Sequence, residues 1–145
     1  MEITSLKTYQ QIIQQAVIYL EKSQKNPSIA ERLIMDRLDW TKTDLIMHLR
    51  DNMPELVYLQ YLKDLNQFIE GKPVQYIVGK EWFYGIPLKV TADTLIPRPE
   101  TEELVHAALQ HLQEKGKGES IRILDIGTGS GAIAIAMKHE RPQDE

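Results

Sequence analysis

The sequence has no cysteine, no excess of positive charge and no apolar run of the roughly 18 residues that a membrane-crossing helix needs. Without cysteine there is no disulfide framework, no thiolate metal site and no cysteine nucleophile. With 17 basic against 21 acidic side chains the formal charge is -4, which argues against direct nucleic-acid binding, because such affinity rests on clustered Lys and Arg. The opening MEITSLKTYQQ lacks the charged-then-apolar order of a signal peptide, so a cytoplasmic location away from membranes is expected. What remains is a chain of 145 residues, 42% hydrophobic and 26% charged, an ordinary globular composition for one domain or one and a half.

The first 70 or so positions carry a helical period. Leu6, Tyr9, Ile13, Ala16, Val17 and Leu20 recur at steps of three and four, which puts them on one stripe of a helix. Asn26-Pro27 interrupts it. Ser28 and Glu31 have capping-box spacing, so a second helix is expected after them, with Ala30, Leu33 and Ile34 inward. Thr41 or Thr43 can open a third, carrying Leu45, Ile46 and Leu49, and Asn52-Met53-Pro54 closes it and starts a fourth. The fourth stripe is Tyr58, Leu62, Leu65 and Ile69, with Gly71 placed for a left-handed C-terminal cap. His48, Trp40, Tyr58 and Tyr61 read better as packed residues than as ligands or a recognition surface.

After Gly71 the pattern shortens. VQYIVG and EWFYGIPLKV read as extended segments broken at Gly79 and Gly85, with a hairpin between them. Pro97-Arg98-Pro99 lacks two backbone donors and has fixed φ, so Arg98 stands on a stiff segment with little freedom to lose on binding, although composition alone favours a rigid connector before a well-capped helix. Pro99 suits a helix start, and Glu100, Glu102 and Glu103 meet the positive end of the helix dipole. Leu104, Val105, Ala108, Leu109 and Leu112 form the apolar face of that helix, and GKGES supplies a turn after it.

Ile121 to Ile126 then reads as a strand buried on both faces of a parallel sheet. Gly127, Gly129 and Gly131 follow at every second position, ahead of a helix from Ala132. Such glycines permit a tight turn with positive φ and close approach of a ligand to the backbone, beside free N–H groups at the helix start. Ala132 after Gly131 rejects a phosphate-cradling P-loop, which needs Lys there. Gly127, Gly129 and Ala132 formally satisfy a dinucleotide fingerprint, but Asp125 at the strand end disfavours a nicotinamide enzyme and resembles the first motif of S-adenosylmethionine-dependent methyltransferases.

Taken together, GKPVQYIVGKEWFYGIPLKVTADTLIPRPETEELV and ILDIGTGSGAIAIA resemble the protein-(glutamine-N5) methyltransferases, the HemK/PrmC family, and AERLIMDRLDW resembles that family's N-terminal helical domain. The resemblance implies an α+β chain: a helical bundle over 1–71 that docks a peptide chain release factor, a β-hairpin and Pro-Arg-Pro linker over 72–98, and over 99–145 the first βα unit of an incomplete Rossmann-like domain that binds S-adenosylmethionine. It implies cofactor contacts at Asp125, Gly127, Thr128, Gly129, Ser130 and Gly131, with Pro97, Arg98 and Thr101 covering the methionine end. The family's Asn-Pro-Pro-Tyr motif, which holds the substrate amide, does not occur in the 145 residues. The expectation is therefore an N-terminal fragment of a release factor methyltransferase, with no catalytic residues of its own and inactive by itself. A parallel strand without neighbours leaves N–H and C=O groups unpaired, so the part beyond about residue 100 is expected to pack loosely, dock non-natively or self-associate. The alternative is a stand-alone helical protein-binding module.

Overall fold

The computed structural model describes residues 7–115 and 120–145, and the chain divides into two compact units, Met1–Val78 and Gly79–Glu145. The architecture is α+β, with seven helices and one two-stranded antiparallel sheet among the described residues.

The first unit holds α1 (Tyr9–Lys22), α2 (Ile29–Leu38), α3 (Lys42–His48), α4 (Glu55–Ile69) and α5 (Val74–Val78). Thr8 and Thr41 close capping boxes with Gln11 and Asp44 at the starts of α1 and α3, satisfying amides that have no partner inside the helix. Ser28 does not cap α2: its backbone is already helical and its side chain makes no cap bond. The expected Ser28 box fails because the turn begins earlier. Asn26 Oδ1 accepts the Ser28 N–H at 3.0 Å, with Pro27 in the first-turn position that suits it. Glu31, thus released, pairs with Lys42. Gly71 takes φ 100° after α4, and Lys72 N donates to Gln67 O at 3.0 Å, closing the expected left-handed cap.

The core of this unit is Tyr9, Ile12, Ile13, Ala16, Leu20, Ala30, Leu33, Ile34, Leu45, Met53, Tyr61, Leu65, Val74 and Ile77, so the stripes of α1 and α2 run inward as their spacing requires. Leu6 lies outside the described residues. Two expectations are corrected. Ile46 is exposed, and α4 is turned so that Tyr61 and Asp64 are buried beside Leu65 while Leu62 is only half-buried. Polar partners explain the turn of α4: Tyr61 Oη donates to Ala30 O at 3.0 Å, and Asp64 meets Arg37. His48 stacks on Trp40 at 4.7 Å between ring centroids, and Trp40 lies 5.1 Å from Tyr9.

VQYIV is the helix α5, not the extended segment its branched residues imply. Pro73 starts it, with Tyr76 and Ile77 N–H groups bonding Pro73 O at 3.1 Å, and Val74 and Ile77, three apart, both reach the core. Burial overrides a weak β preference in so short a run.

The second unit opens with β1 (Lys80–Phe83) and β2 (Ile86–Lys89), so the hairpin lies wholly inside EWFYGIPLKV. Phe83 pairs with Ile86 and Glu81 with Leu88 around a Tyr84-Gly85 turn whose φ values are 52° and 74°. Two positive φ angles match the twist of a two-residue hairpin. The helices α6 (Glu100–Lys115) and α7 (Ala132–Glu140) follow. Phe83, Leu88, Val105, Leu109, Ala132, Ala136 and Met137 share a core, while Leu104, expected on the inner face of α6, is exposed. The turn expected at GKGES falls, apart from Ser120, outside the described residues.

The expected strand over 121–126 does not form: Leu124 and Ile126 are 83% and 86% exposed. Among the described residues only its start is paired. Glu145 N donates to Ile121 O at 3.0 Å and Ile123 N to Glu145 O at 2.7 Å, the pattern of a single parallel bridge. A parallel strand needs ladders along its length, and the residues around this segment supply one step. Without that ladder, α6 and α7 pack with the hairpin around a shared core.

Candidate cofactor-binding site

Gly127, Gly129 and Gly131 all adopt positive φ, at 75°, 58° and 78°. The turn is tightened by Thr128 Oγ1, which donates to Asp125 O at 3.0 Å, and by Gly131 N, which donates to Thr128 O at 2.9 Å. A Cβ on Gly127 would meet nothing within 4 Å, and one on Gly129 only Gly127 O at 3.9 Å, so backbone conformation rather than crowding calls for glycine there. At Gly131 a Cβ would touch Ile135 Cδ1 at 3.4 Å. The face above Gly127 and Gly129 is open, and Ser130 is half-exposed beside it. The N-terminus of α7 has Gly131 as its cap and takes no side-chain capping bond, which leaves its first amides available to an acceptor.

Asp125 is half-buried, and its Oδ2 is buried with no hydrogen-bond partner among the described residues. A carboxylate oxygen in that state is costly unless a donor reaches it. Asp125 lines a cavity of about 140 Å³ with Ile123, Ile133, Ala134, Met137 and Lys138. That volume is below the roughly 300 Å³ at which sites for whole small molecules begin, so the cavity is part of a site at most.

Below the loop, a cluster ties the 121–125 segment to the turn after α7, and nothing in the sequence pattern pointed to it. Arg141 pairs with Asp144, and Asp144 Oδ1 accepts the Ile121 N–H at 3.1 Å. Ser120 Oγ donates to Gln143 O at 2.9 Å and Lys138 Nζ to Asp144 O at 2.6 Å. The Arg141 hydrogen bond, then the Ile121 amide, holds the Asp144 carboxyl below the usual carboxylate range.

Pro97 and Thr101 are half-buried and Arg98 is exposed, just ahead of α6. Thr101 N donates to Arg98 O and Glu102 N to Pro99 O, both at 3.0 Å, which forms the first helical turn over the Pro-Arg-Pro segment. Among the described residues no hydrogen bond or ion pair joins residues 97–101 to the 125–131 loop, so the structure presents two parts rather than one assembled constellation. A second unforeseen residue is Glu102, whose Oε1 accepts the Tyr84 N–H at 2.9 Å. In the sequence its place in an acidic first turn accounted for it by the helix dipole alone. No helix among the described residues is long and apolar enough to cross a membrane, and no described group of His, Asp or Glu could hold a metal ion.

The PrmC N-terminal domain family matches residues 11–79. The release factor glutamine methyltransferase of Staphylococcus aureus is 38% identical over 134 residues, which is 92% of this chain and 46% of that protein. Its counterpart in Enterococcus faecalis is 36% identical over 136 residues, 94% of this chain and 48% of that protein. The Bacillus subtilis protein is 36% identical over 139 residues, 93% of this chain and 47% of its own length. The chain thus spans about half the length of the curated relatives it matches, and the alternative of a stand-alone helical protein-binding module is not favoured. In its N-terminal domain and across the stretch that includes the Pro-Arg-Pro and glycine-rich segments, the chain is similar to the HemK/PrmC release factor glutamine methyltransferases.

Proposed function

We propose that the chain serves the transfer of a methyl group from S-adenosylmethionine to the side-chain amide nitrogen of the glutamine in a release factor's Gly-Gly-Gln loop. In this reading residues 1–71 dock the release factor, 72–98 link, and 99–145 open the cofactor-binding domain. The observation that carries it is the pairing of an orphaned, buried Asp125 Oδ2 with a loop of three positive-φ glycines open on one face. The chemistry fits. An ammonium group would satisfy the carboxylate, and glycine backbone lets a flat, extended cofactor lie against the loop without meeting a Cβ.

When bound, S-adenosylmethionine supplies an activated methyl group on its sulfonium. Asp125 would hold the ammonium end, while Gly127, Thr128, Gly129, Ser130 and Gly131 would pass beneath the cofactor. Pro97, Arg98 and Thr101 would cover its methionine end and border the entrance for the glutamine side chain. The amide nitrogen is a poor nucleophile because its lone pair is delocalised, so the work of such a site is orientation and acceptance of the N–H groups. The 145 residues hold no Asn-Pro-Pro-Tyr to accept them, so the chain alone is expected to be inactive.

The test uses methyl-labelled S-adenosylmethionine and purified release factor. The chain alone should leave the release factor unlabelled and show no measurable cofactor binding by calorimetry. A chimera that continues from Glu145 into the remaining half of the Staphylococcus aureus relative should label the glutamine, and Asp125→Ala should abolish that labelling. A chimera that binds the cofactor yet leaves release factor unmodified sinks the reading.

A further inference from the structure

Tyr84 is a non-glycine residue at φ 52°, a conformation L-residues seldom adopt, in the first position of the two-residue hairpin turn. A second element meets it there. Tyr84 N–H points to Glu102 Oε1 at 2.9 Å across a separation of 18 residues, in a part-buried setting. Glu102 is also the residue whose own N–H bonds Pro99 O, directly after Thr101 bonds Arg98 O. One side chain therefore joins the tip of the hairpin to the turn that carries Pro97, Arg98 and Thr101. Val105, in the second turn of α6, and Phe83, beside Tyr84, are both buried in the shared core, so the bond lies at the edge of a packed region rather than in open solvent.

We propose that Glu102 is a positioning residue: by accepting the Tyr84 amide it fixes the start of α6 on the hairpin and so sets where the 97–101 segment stands. This rests on the proposed role of 97–101 at the cofactor, but the anchor itself can be tested without any cofactor. Two explanations of Glu102 give different results. A charge that only meets the helix dipole is lost equally in Glu102→Ala and Glu102→Gln, and Glu103→Gln, in the same turn and exposed, should then act alike. An acceptor for Tyr84 N–H is lost in Glu102→Ala but kept in Glu102→Gln, whose amide oxygen can take the same bond.

The experiment is amide hydrogen exchange followed by NMR on the 145-residue chain and the three variants. Glu102→Ala should speed exchange at Tyr84 by about ten-fold and move the amide resonances of Arg98 and Thr101, Glu102→Gln should restore most of both, and Glu103→Gln should leave both near the unsubstituted values. Three results overturn the proposal: fast Tyr84 exchange already in the unsubstituted chain, Glu102→Ala exchange within two-fold of it, or equal effects from Glu102→Ala and Glu103→Gln. If the anchor holds but the chimera described above does not bind S-adenosylmethionine, it is the cofactor reading that fails, not the anchor.

Discussion

Arg37 on α2 grips Asp64 on α4 at two points, Nε to Oδ2 and Nη2 to Oδ1, each 2.9 Å, and with Nη2 also reaches Ile77 O at 3.0 Å on α5. Asp64 is 1% exposed and takes a further bond from Gln60 Nε2 at 2.8 Å. A single guanidinium thus joins three helices of the first unit. Removing one member of such a pair strands a buried charge, so Arg37→Ala should destabilise this unit by about 3 kcal/mol, read as a lower urea midpoint. Replacing both residues by apolar side chains of similar volume should cost much less, and an equal cost would show that packing rather than charge pairing matters here.

The start of α2 gives a second prediction. Because Asn26 accepts the Ser28 N–H while the Ser28 hydroxyl makes no cap bond, Asn26→Ala should cost about 1 kcal/mol and Ser28→Ala only a few tenths. Thermal melts of the two variants compare them directly, and the reverse order would restore the Ser28 cap.

Tyr61 predicts an alkaline dependence. Burial pushes its hydroxyl well above the usual tyrosine range, and burial followed by the charge of Asp51 raises Tyr9 as well. From about pH 10 upward the unfolded tyrosine loses its proton while the folded one keeps it, so the folded state binds more protons and stability falls as pH rises. Below that window the contribution is fully present. Urea midpoints measured from pH 9 to 12 should decline, and Tyr61→Phe should flatten the slope without removing the share due to Tyr9.

Asp144 predicts the opposite sign at the acid end. Its carboxyl titrates below the usual range because Arg141 and the Ile121 amide bond its charged form. The unfolded state then binds more protons, so the contribution is complete above about pH 4 and is lost as pH falls through the lowered folded value. Hydrogen exchange at Ile121 should stay protected at pH 4 and rise at lower pH, whereas Asp144→Asn should remove that acid step. Loss of protection already near pH 5 would contradict the pairing.

The helices of the first unit were largely legible in the sequence, since period and stop signals are local. Tyr9, Ile13, Ala16 and Leu20 on α1 and Ala30, Leu33 and Ile34 on α2 are buried as their spacing demands. The rotation of α4 was not legible. Asp64 looks like an outward position, and Tyr61, though read as packed, stands off the expected stripe, until Arg37 and Ala30 O, 27 and 31 positions away, satisfy them. At the candidate site, the glycines could be picked out because positive φ has few residue solutions, whereas Glu102, Arg141 and Asp144 act through partners that no local pattern records.

By itself, then, the sequence determined composition class, the positions of most helices, the glycine-rich turn and the family resemblance, because each is written in neighbouring residues or in motifs at fixed spacing. Only tertiary structure decided the rest: that VQYIV coils into α5, that α6 and α7 pack on the hairpin, and that 121–126 has one bridge instead of a ladder. The physical reason is common to all three. A short apolar run adopts whichever backbone lets it bury its side chains and pair its N–H and C=O groups, and which partners stand within reach is a property of the folded chain.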